Sequence, residues 1–315
     1  MISIIVIGKN EAPRLPDCFM SIRTACRHLS YEIIYVDSGS SDNSLLIAQQ
    51  YARCFLLKED SPTPGLGRRI GTKEAKGEWL LFLDGDMQLS AGFLEKAMMH
   101  AYQSGSDALT GIRHDLYYRS GQLSGENENY YNCTAEREAP EFGGALFIRK
   151  DILEQAGGWS SDTVSCEEQE LHSRLLALPA KVTELPVPMI LNTDCNRDAR
   201  SPLSVLFSRR RLGDGEAFRC AMSHHSLPAY LRFKSETFHL YELDWLSLLL
   251  LLLFRWYGFA FACMLQSAQL GYFLSRKKPR SFITQKIFFF SFPLGLLSYR
   301  KRNLEYQAFP GEAQI

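Results

Sequence analysis

The sequence lacks several features that would restrict its function. No two of its eight cysteines form a C-x-x-C pair and no histidine cluster accompanies them, which argues against a structural zinc site. Scattered single cysteines favour a reducing compartment. Equal numbers of basic and acidic residues, 35 of each, argue against a dedicated nucleic-acid binder. Met1 runs into a short apolar segment without preceding basic residues, so no secretory signal peptide is predicted.

The charge is unevenly distributed along the chain. The 315 residues are 46% hydrophobic and 22% charged, as in ordinary globular proteins. Residues 1–200 contain 20 basic and 28 acidic residues, a net charge of −8, whereas residues 201–315 contain 15 and 7, a net charge of +8. An acidic part joined to a basic part indicates a surface or membrane role for the basic part.

Short apolar segments alternate with helical patterns through the first half of the chain. The pattern predicts strands at 3–7, 32–36, 54–57, 78–83 and 143–148, and helices at 15–29, 42–51, 65–76, 93–102 and 151–156. This alternation predicts an α/β fold with a parallel sheet, whose ligands bind at the carboxyl ends of the strands. The polar stretch 120–140 is predicted to be an acceptor loop or a lid.

The last third of the chain contains two apolar segments. Arg255 is the one charged residue from Trp245 to Ser275, and the uncharged segment Trp256–Ser275 has 20 residues, the length of a spanning helix. The segment Ile287–Tyr299 has 13 residues, too few for a span, and is predicted to be interfacial or re-entrant. The alternative is a buried core helix of a soluble helical subdomain.

Basic clusters flank the second apolar segment and favour a surface that faces anionic lipid on the cytoplasmic side. They are Arg276, Lys277, Lys278 and Arg280 before it and Arg300, Lys301 and Arg302 after it.

Two carboxylates, Asp84 and Asp86, enclose a single glycine directly after a predicted strand. Oxygen ligands of this kind favour Mg²⁺ or Mn²⁺, and such a cation can neutralise a diphosphate leaving group. In isolation, an Asp-Gly-Asp triplet is more often a simple turn.

Two further acidic segments carry alternative interpretations. Asp37, at a strand end, could accept hydrogen bonds from a base or a ribose, or it could form an Asx turn before a helix. Glu167 and Glu168 are candidates for a general base, because repulsion and burial can raise the pKa of one of them. The alternative is a solvated helix start, where acidic residues suit the helix dipole.

In order and spacing these segments resemble the family 2 glycosyltransferases, which have the GT-A fold. The resemblance covers about residues 1–200 and departs from the family pattern at Ser38, Arg69 and Glu168, where the family has Asp, Asn and Asp. The matching segments are Ser3–Ala12 (opening strand and loop), Asp37–Asp42 (D-D-G-S-x-D turn), Gly67–Gly71 (A-R-N-x-G helix start), Glu78–Asp86 (strand with the metal motif), Gly143–Trp159 (acceptor segment) and Glu167–Leu175 (E-D-x-E-L-x-x-R-L helix).

The resemblance implies a role for each matching residue. Gly8 and Glu11 would line the nucleotide pocket, Asp37 would contact the base, and Arg68 the base or the diphosphate. Asp84 would bind the ribose side of the donor and, with Asp86, hold Mn²⁺ or Mg²⁺. Glu168 would be the general base of an inverting displacement. Glu167 remains a rival, because the extra methylene of Glu168 changes its reach.

The whole sequence therefore predicts a membrane-associated inverting hexosyltransferase of cell-surface polysaccharide or glycolipid synthesis. Its predicted parts are a GT-A catalytic domain with a Rossmann-like, mostly parallel sheet (1–200), a basic linker (201–240) and an apolar helical membrane region (241–315). The predicted partners are a nucleoside-diphosphate sugar, preferably a UDP-sugar, a saccharide or lipid-linked acceptor, and membrane lipids, with no nucleic acid. The predicted location is the cytoplasmic face of the inner membrane.

Two alternatives come from other classes of protein. One is a sugar-nucleotide-binding or membrane scaffold protein with a degenerate site. The other is a nucleotidyltransferase, but the loop after Ile7 lacks the glycine-rich, lysine-bearing sequence expected of one. Since the Q-x-x-R-W motif of processive synthases is absent from the sequence, single-sugar transfer is favoured over polymer synthesis.

Overall fold

The computed structural model describes residues 1–119, 121–194, 202–276 and 279–309. The chain divides into two compact units. The first comprises Met1–Thr163, Glu167–Arg197 and Arg300–Ile315, and the second comprises Val164–Cys166 and Asp198–Tyr299. The predicted domain boundary at residue 200 lies outside the described residues.

The first unit is built on one sheet, in the order β11-β3-β2-β1-β4-β9-β6-β10-β5, with β7 beside β6 and β8 beside β10. Its strands are β1 (Ile2–Gly8), β2 (Tyr31–Asp37), β3 (Arg53–Leu57), β4 (Trp79–Asp84), β5 (Met87–Leu89), β6 (Ala108–Arg119), β7 (Gln122–Asn127), β8 (Arg137–Glu138), β9 (Leu146–Arg149), β10 (Val182–Asp194) and β11 (Tyr306–Phe309).

The strands β3, β2, β1 and β4 run parallel, as the alternating pattern predicts. Strand β9 is antiparallel to both β4 and β6, and β11 is antiparallel to β3. The sheet is therefore mixed. The expectation of a mostly parallel sheet holds for β3, β2, β1 and β4, which include the two strands that end at Asp37 and Asp84. Antiparallel partners were not predictable from alternation, because a strand's apolar run does not show its direction.

Helices cover both faces of this sheet. They are α1 (Leu15–Ala25), α2 (Ser44–Ala48), α3 (Pro64–Glu74), α4 (Phe93–Ser104), α5 (Lys150–Gln155) and α6 (Glu167–Ala177). Alternate residues of β1 enter two different cores: Ile4 packs in the core with α1, and Ile5 in the core with α3. Gly71 allows α3 to approach β1 closely, since a Cβ there would lie 2.3 Å from a methyl carbon of Ile5.

The polar stretch 120–140 contains regular structure. Strands β7 and β8 lie within it and pair with β6 and β10, and its role as an acceptor loop or a lid stays a prediction. Ser120 lies outside the described residues.

The second unit is helical. It contains α7 (Pro202–Phe207), a 3₁₀ turn (Arg209–Leu212), α8 (Gly213–Ser223), α9 (Leu227–Phe233), α10 (Ser235–Ser275) and α11 (Pro279–Ser298). A small core of Ala217, Ala221 and Tyr230 joins α8 to α9.

Two segments of the described chain are long and apolar enough to cross a membrane, Ser235–Phe254 and Ser281–Ser298. Only 17% of the apolar window in each is buried, so neither segment is a mostly buried core helix. The predicted spanning segment Trp256–Ser275 is not part of either one. The segment Ile287–Tyr299, predicted to be too short for a span, is largely the second part of the 20-residue α11.

The predicted membrane region 241–315 ends earlier than expected. Helix α11 ends at Ser298, and Tyr306–Phe309 forms β11 at the edge of the sheet, where it pairs with β3. The signal for this strand is weak, because four residues at the end of a chain carry no periodicity that separates a strand from a tail. Among the predicted basic residues, Lys277 and Lys278 lie outside the described residues.

Candidate active site

The carboxyl ends of three neighbouring parallel strands place the predicted residues at one edge of the sheet. Strand β1 ends at Gly8, β2 at Asp37 and β4 at Asp84. The backbone ties these ends together: Ser38 donates to the Gly8 carbonyl over 2.9 Å, and Gly85 donates to the Ile7 carbonyl over 2.8 Å. Helix α6 brings Glu167 and Glu168 to the same edge.

Arg68 joins the strand ends to α6. Its side chain is 1% exposed, and one terminal nitrogen donates to Glu167 over 2.8 Å. The other donates to Asp84 over 2.9 Å and to Glu168 over 3.2 Å. The guanidinium also lies over the Trp159 ring, 4.8 Å from its centroid. One buried cation therefore fixes three carboxylates that lie 16 and about 100 residues away in the sequence.

Glu167 and Glu168 differ in their access to solvent. The Glu167 side chain is 8% exposed and is held by Arg68, whereas that of Glu168 is 29% exposed. Burial raises the pKa of Glu168, and Glu167 and Asp84 raise it further, while Arg68 and Arg113 oppose the shift. A carboxyl group with a raised pKa and an open side is suited to accept a proton.

The turn after β4 concentrates negative charge. Burial raises the pKa of Asp86, and Asp84 contributes in the same direction. Glu11 has its pKa raised to about 7, chiefly by burial and also by Asp86 and Asp84, although Arg14 opposes the shift. Arg14 is close to both, 2.9 Å from Glu11 and 3.9 Å from Asp86.

The two aspartates of this turn have the donor chemistry of a divalent-cation site. Asp84 and Asp86 offer carboxylate oxygens, the ligands that Mg²⁺ and Mn²⁺ prefer. A cation bound beside Asp86 would offset the repulsion from Asp84 that helps to raise its pKa. Metal binding by Asp84 and Asp86 stays a prediction.

Asp37 has a structural role in this arrangement. It is 1% exposed, and its carboxylate accepts bonds from the Ser40 amide over 2.7 Å and the Ser40 hydroxyl over 2.6 Å. The Tyr35 hydroxyl donates to it over 3.2 Å. The Asp37 carboxylate is therefore bonded within its own turn, to the amide three residues on instead of the two of an Asx turn, and the contact with a base stays a prediction. Gly8 lies beside this turn, since a Cβ there would meet the Tyr35 hydroxyl at 2.8 Å.

Two arginines of the site are absent from the sequence-based set. Arg14 contacts two predicted residues, and its position three residues after Glu11 was the available signal. Arg113 donates to Asp115 over 2.6 Å and to the Gly143 carbonyl over 3.2 Å. It lowers the pKa of both Asp86 and Glu168, so its charge acts on the site. Nothing in the sequence of β6 distinguishes it from a solvated arginine.

The mixed sheet with flanking helices, and the acidic turns at its carboxyl edge, agree with the GT-A fold that the sequence predicted. Residues 3–155 match the family model "Glycosyl transferase family 2", and this part of the chain belongs to that family.

Curated relatives share this region. The chain is 25% identical over 174 residues to glycosyltransferase AglE of Haloferax volcanii, covering 52% of the chain and 57% of the relative. It is 30% identical over 163 residues to dolichol-phosphate mannosyltransferase of Pyrococcus furiosus, covering 50% and 45%. The chain thus spans about half the length of these relatives.

Solved structures extend the likeness in fold to the rest of the chain. The crystal structure of S. aureus TarS 1-349 superposes with a TM-score of 0.57 at 17% identity, covering 93% of this chain and 91% of that one. The same protein in complex with UDP-GlcNAc gives a TM-score of 0.55 at 14% identity, covering 100% and 98%. At 14% and 17% identity these matches show a similar fold and nothing further.

Proposed function

We propose that this protein is an inverting glycosyltransferase that moves a sugar from a nucleoside-diphosphate sugar to a hydroxyl group of a glycan or lipid-linked acceptor. The observation that carries the proposal is the bonding of Arg68 to Asp84, Glu167 and Glu168. This arrangement sets a partly open carboxylate beside an acidic turn, as a single displacement at an anomeric carbon requires.

Each residue of the site receives a role in the proposal. Asp84 and Asp86 would hold Mg²⁺ or Mn²⁺, which supplies positive charge for the departing nucleoside diphosphate. Glu168 accepts the proton of the acceptor hydroxyl as the hydroxyl oxygen attacks the anomeric carbon and displaces the nucleoside diphosphate. Arg68 fixes the position of Glu168 relative to Asp84, and Gly8 leaves room at the strand end. Since Glu167 is buried against Arg68, Glu168 is the preferred base.

A UDP-sugar is the preferred donor, and a lipid-linked saccharide is the preferred acceptor. The donor preference is supported by the TarS complexes with UDP and with UDP-GlcNAc. The acceptor preference is supported by relatives that include an undecaprenyl-phosphate 4-deoxy-4-formamido-L-arabinose transferase of Serratia proteamaculans, 23% identical over 225 residues. We place the reaction at the cytoplasmic face of the inner membrane, because the apolar segments adjoin basic ones.

A panel of nucleotide sugars tests this proposal. The full chain is incubated with UDP-, GDP- and dTDP-sugars with and without Mn²⁺, and thermal stability and donor hydrolysis are measured. A donor that binds the native state raises the melting temperature. We expect a UDP-sugar with Mn²⁺ to do so and to be hydrolysed slowly. Stabilisation without hydrolysis or transfer would support the scaffold alternative, and no response to any donor would contradict both.

A further inference from the structure

The chain reverses direction inside α10. A straight helix of 41 residues would separate Asp244 from Gln266 by about 33 Å, at 1.5 Å per residue. Instead, the Gln266 amide donates to the Asp244 carboxylate over 2.9 Å. Gln269 reaches the Leu240 carbonyl over 3.5 Å, and Tyr272 donates to Glu236. The element is therefore a hairpin of two helical arms.

Gly258 lies where the two arms cross. A Cβ at this position would lie 1.8 Å from the Leu250 carbonyl oxygen, a distance that no side chain can occupy. The turn is therefore confined to residues 251–257. Ser247 and Ala262 are also buried along the seam between the arms.

A polar cluster closes the base of the hairpin. Asp244 is 3% exposed and accepts bonds from Gln266, from Gln269 over 3.1 Å, and from Gln285 of α11 over 2.8 Å. Lys286 donates to the same carboxylate. The Asp244 carboxylate is thus satisfied by four donors inside the protein, which suits a position at the level of the lipid headgroups.

Beyond this cluster the hairpin is apolar and exposed. Leu252, Trp256 and Tyr257 are each at least 80% exposed. The other large exposed side chains of this part are Trp245, Leu246, Leu249, Leu251, Leu253, Phe254, Phe259, Phe261 and Met264. The exception is Arg255, the one charged residue from Trp245 to Ser275, which lies within the turn 251–257. An apolar surface of this extent marks a site of association.

The dimensions of the hairpin indicate what it contacts. From Asp244 to the turn are about ten residues, or roughly 15 Å of helix, which is half of the roughly 30 Å hydrocarbon core of a bilayer. The polar base is compatible with the headgroup level, and the excess of basic residues in 201–315, 15 against 7 acidic, complements anionic lipid. Trp256 and Tyr257 supply large apolar surface at the turn.

We propose that residues 245–265 are a re-entrant helical hairpin that enters one leaflet of an anionic bilayer and returns to the same side. The segment Ser235–Phe254, although long enough for a span, is then one arm and its turn. The inference rests on the proposed membrane association and does not use the transfer chemistry.

Cysteine accessibility distinguishes this arrangement from a span. In a Cys263→Ser background, Leu253→Cys places a thiol at the turn, and Ser275→Cys places a control thiol at the base. The full chain is reconstituted into vesicles that contain phosphatidylglycerol, and a membrane-impermeant maleimide is either added outside or trapped inside. Labelling of the parent measures the background from other cysteines, and detergent afterwards exposes all thiols.

We expect the thiol at 253 to be protected from both reagents and labelled after detergent, while that at 275 reacts on its own side. Labelling of 253 from the side opposite to 275 would establish a span and overturn the proposal. Labelling of 253 from the same side would show that the hairpin does not enter the bilayer. Failure of the parent to float with the vesicles would refute the membrane association itself, whatever the donor panel shows.

A charge at the turn provides a second measurement. Leu252→Asp combined with Trp256→Asp should reduce flotation about a hundredfold, because aspartate is strongly disfavoured inside a bilayer. Tyr102→Asp, on α4 and 93% exposed, is the matched control and should not change flotation. Donor hydrolysis should be the same in all three proteins, and unchanged flotation of the double variant would contradict the proposal.

Discussion

At the scale of single residues, Arg68 explains why a distant set of acids is arranged as one site. Its charge is almost entirely removed from solvent, yet it remains ionised because Asp84, Glu168 and Glu167 raise its pKa against the effect of burial. The acids depend on it in turn, since a buried carboxylate without a partner is strongly destabilising.

Replacing Arg68 by methionine should lower the free energy of unfolding by about 3–5 kcal/mol, because Glu167 then lacks a counter-charge. Denaturant unfolding checks the value. Arg53→Met is the matched control: its pair with Glu32 involves an arginine that is 36% exposed, so the loss should stay below about 1 kcal/mol. Equal losses in the two variants would show that Arg68 does not stabilise the acids.

Glu168→Gln should abolish sugar transfer and leave donor binding intact, because it removes the proton acceptor without changing the volume of the side chain. Glu167→Gln should retain transfer at a reduced rate, since Glu167 contacts Arg68 and acts on Glu168 through it. Turnover is measured with the donor identified by the panel, and binding by calorimetry. The reverse ranking would assign the base to Glu167.

Asp86→Ala should abolish Mn²⁺ binding and metal-dependent transfer, because it removes one of the two oxygen donors of the turn after β4. Titration of Mn²⁺ by electron paramagnetic resonance measures this directly. Glu95→Gln, an exposed acid on α4, is the control and should bind Mn²⁺ like the parent. Unchanged binding in Asp86→Ala would place the cation elsewhere.

At the scale of elements, α6 combines the reactive glutamates with a buried histidine. His172 is 1% exposed and lies 5.3 Å from the Phe142 ring, and burial lowers its pKa to about 4. The helix therefore carries a second group that resists ionisation, one turn beyond Glu168.

His172 should make the protein less stable as the pH falls from about 6.5 to about 4. In this window the unfolded chain binds a proton that the folded state excludes, so stability falls by up to about 1.4 kcal/mol per pH unit. The contribution is fully present above pH 6.5. The melting temperature of the parent, His172→Gln and the surface control His28→Gln is measured across this range. We expect a weaker pH dependence only in His172→Gln.

Most strands and helices of the first unit are predictable from the sequence, but the pairing and direction of the strands are less predictable. The strands 3–7, 32–36 and 78–83 are each recovered within one residue at either end, because apolar runs that end in turn residues specify a buried strand. The direction of β9, the presence of β7 and β8, and the pairing of β11 depend on partners distant in sequence. The reversal inside α10 is not predictable from the sequence, because a hydropathy window cannot distinguish two short arms from one long helix.

At the scale of the whole molecule, the separation of charge has a structural counterpart. The first unit carries the acidic turns, and the second carries the apolar helices. Because β11 follows α11 and pairs with β3, truncation at residue 240 would remove a strand of the sheet along with the apolar helices. Substitutions in the hairpin are therefore a better test of membrane association than truncation.

The basic part of the chain should give its vesicle binding a dependence on lipid charge and salt. Flotation of the full chain should be greater with phosphatidylglycerol than with phosphatidylcholine alone, and the difference should shrink as salt rises, because ions screen exposed charges. The binding that remains at high salt reports the apolar hairpin. Equal flotation with both lipids would show that the basic residues do not contribute to membrane binding.

The sequence by itself determined the α/β class, the strands that end in acidic turns, and the resemblance to family 2 glycosyltransferases, because local periodicity and motif spacing are properties of the chain alone. Only the tertiary structure decided that Arg68 unites Asp84 with both glutamates, that Asp37 is occupied by its own turn, and that α10 reverses direction. These depend on contacts between residues far apart in sequence, such as Arg68 and Glu168 or Asp244 and Gln266, which no local pattern encodes.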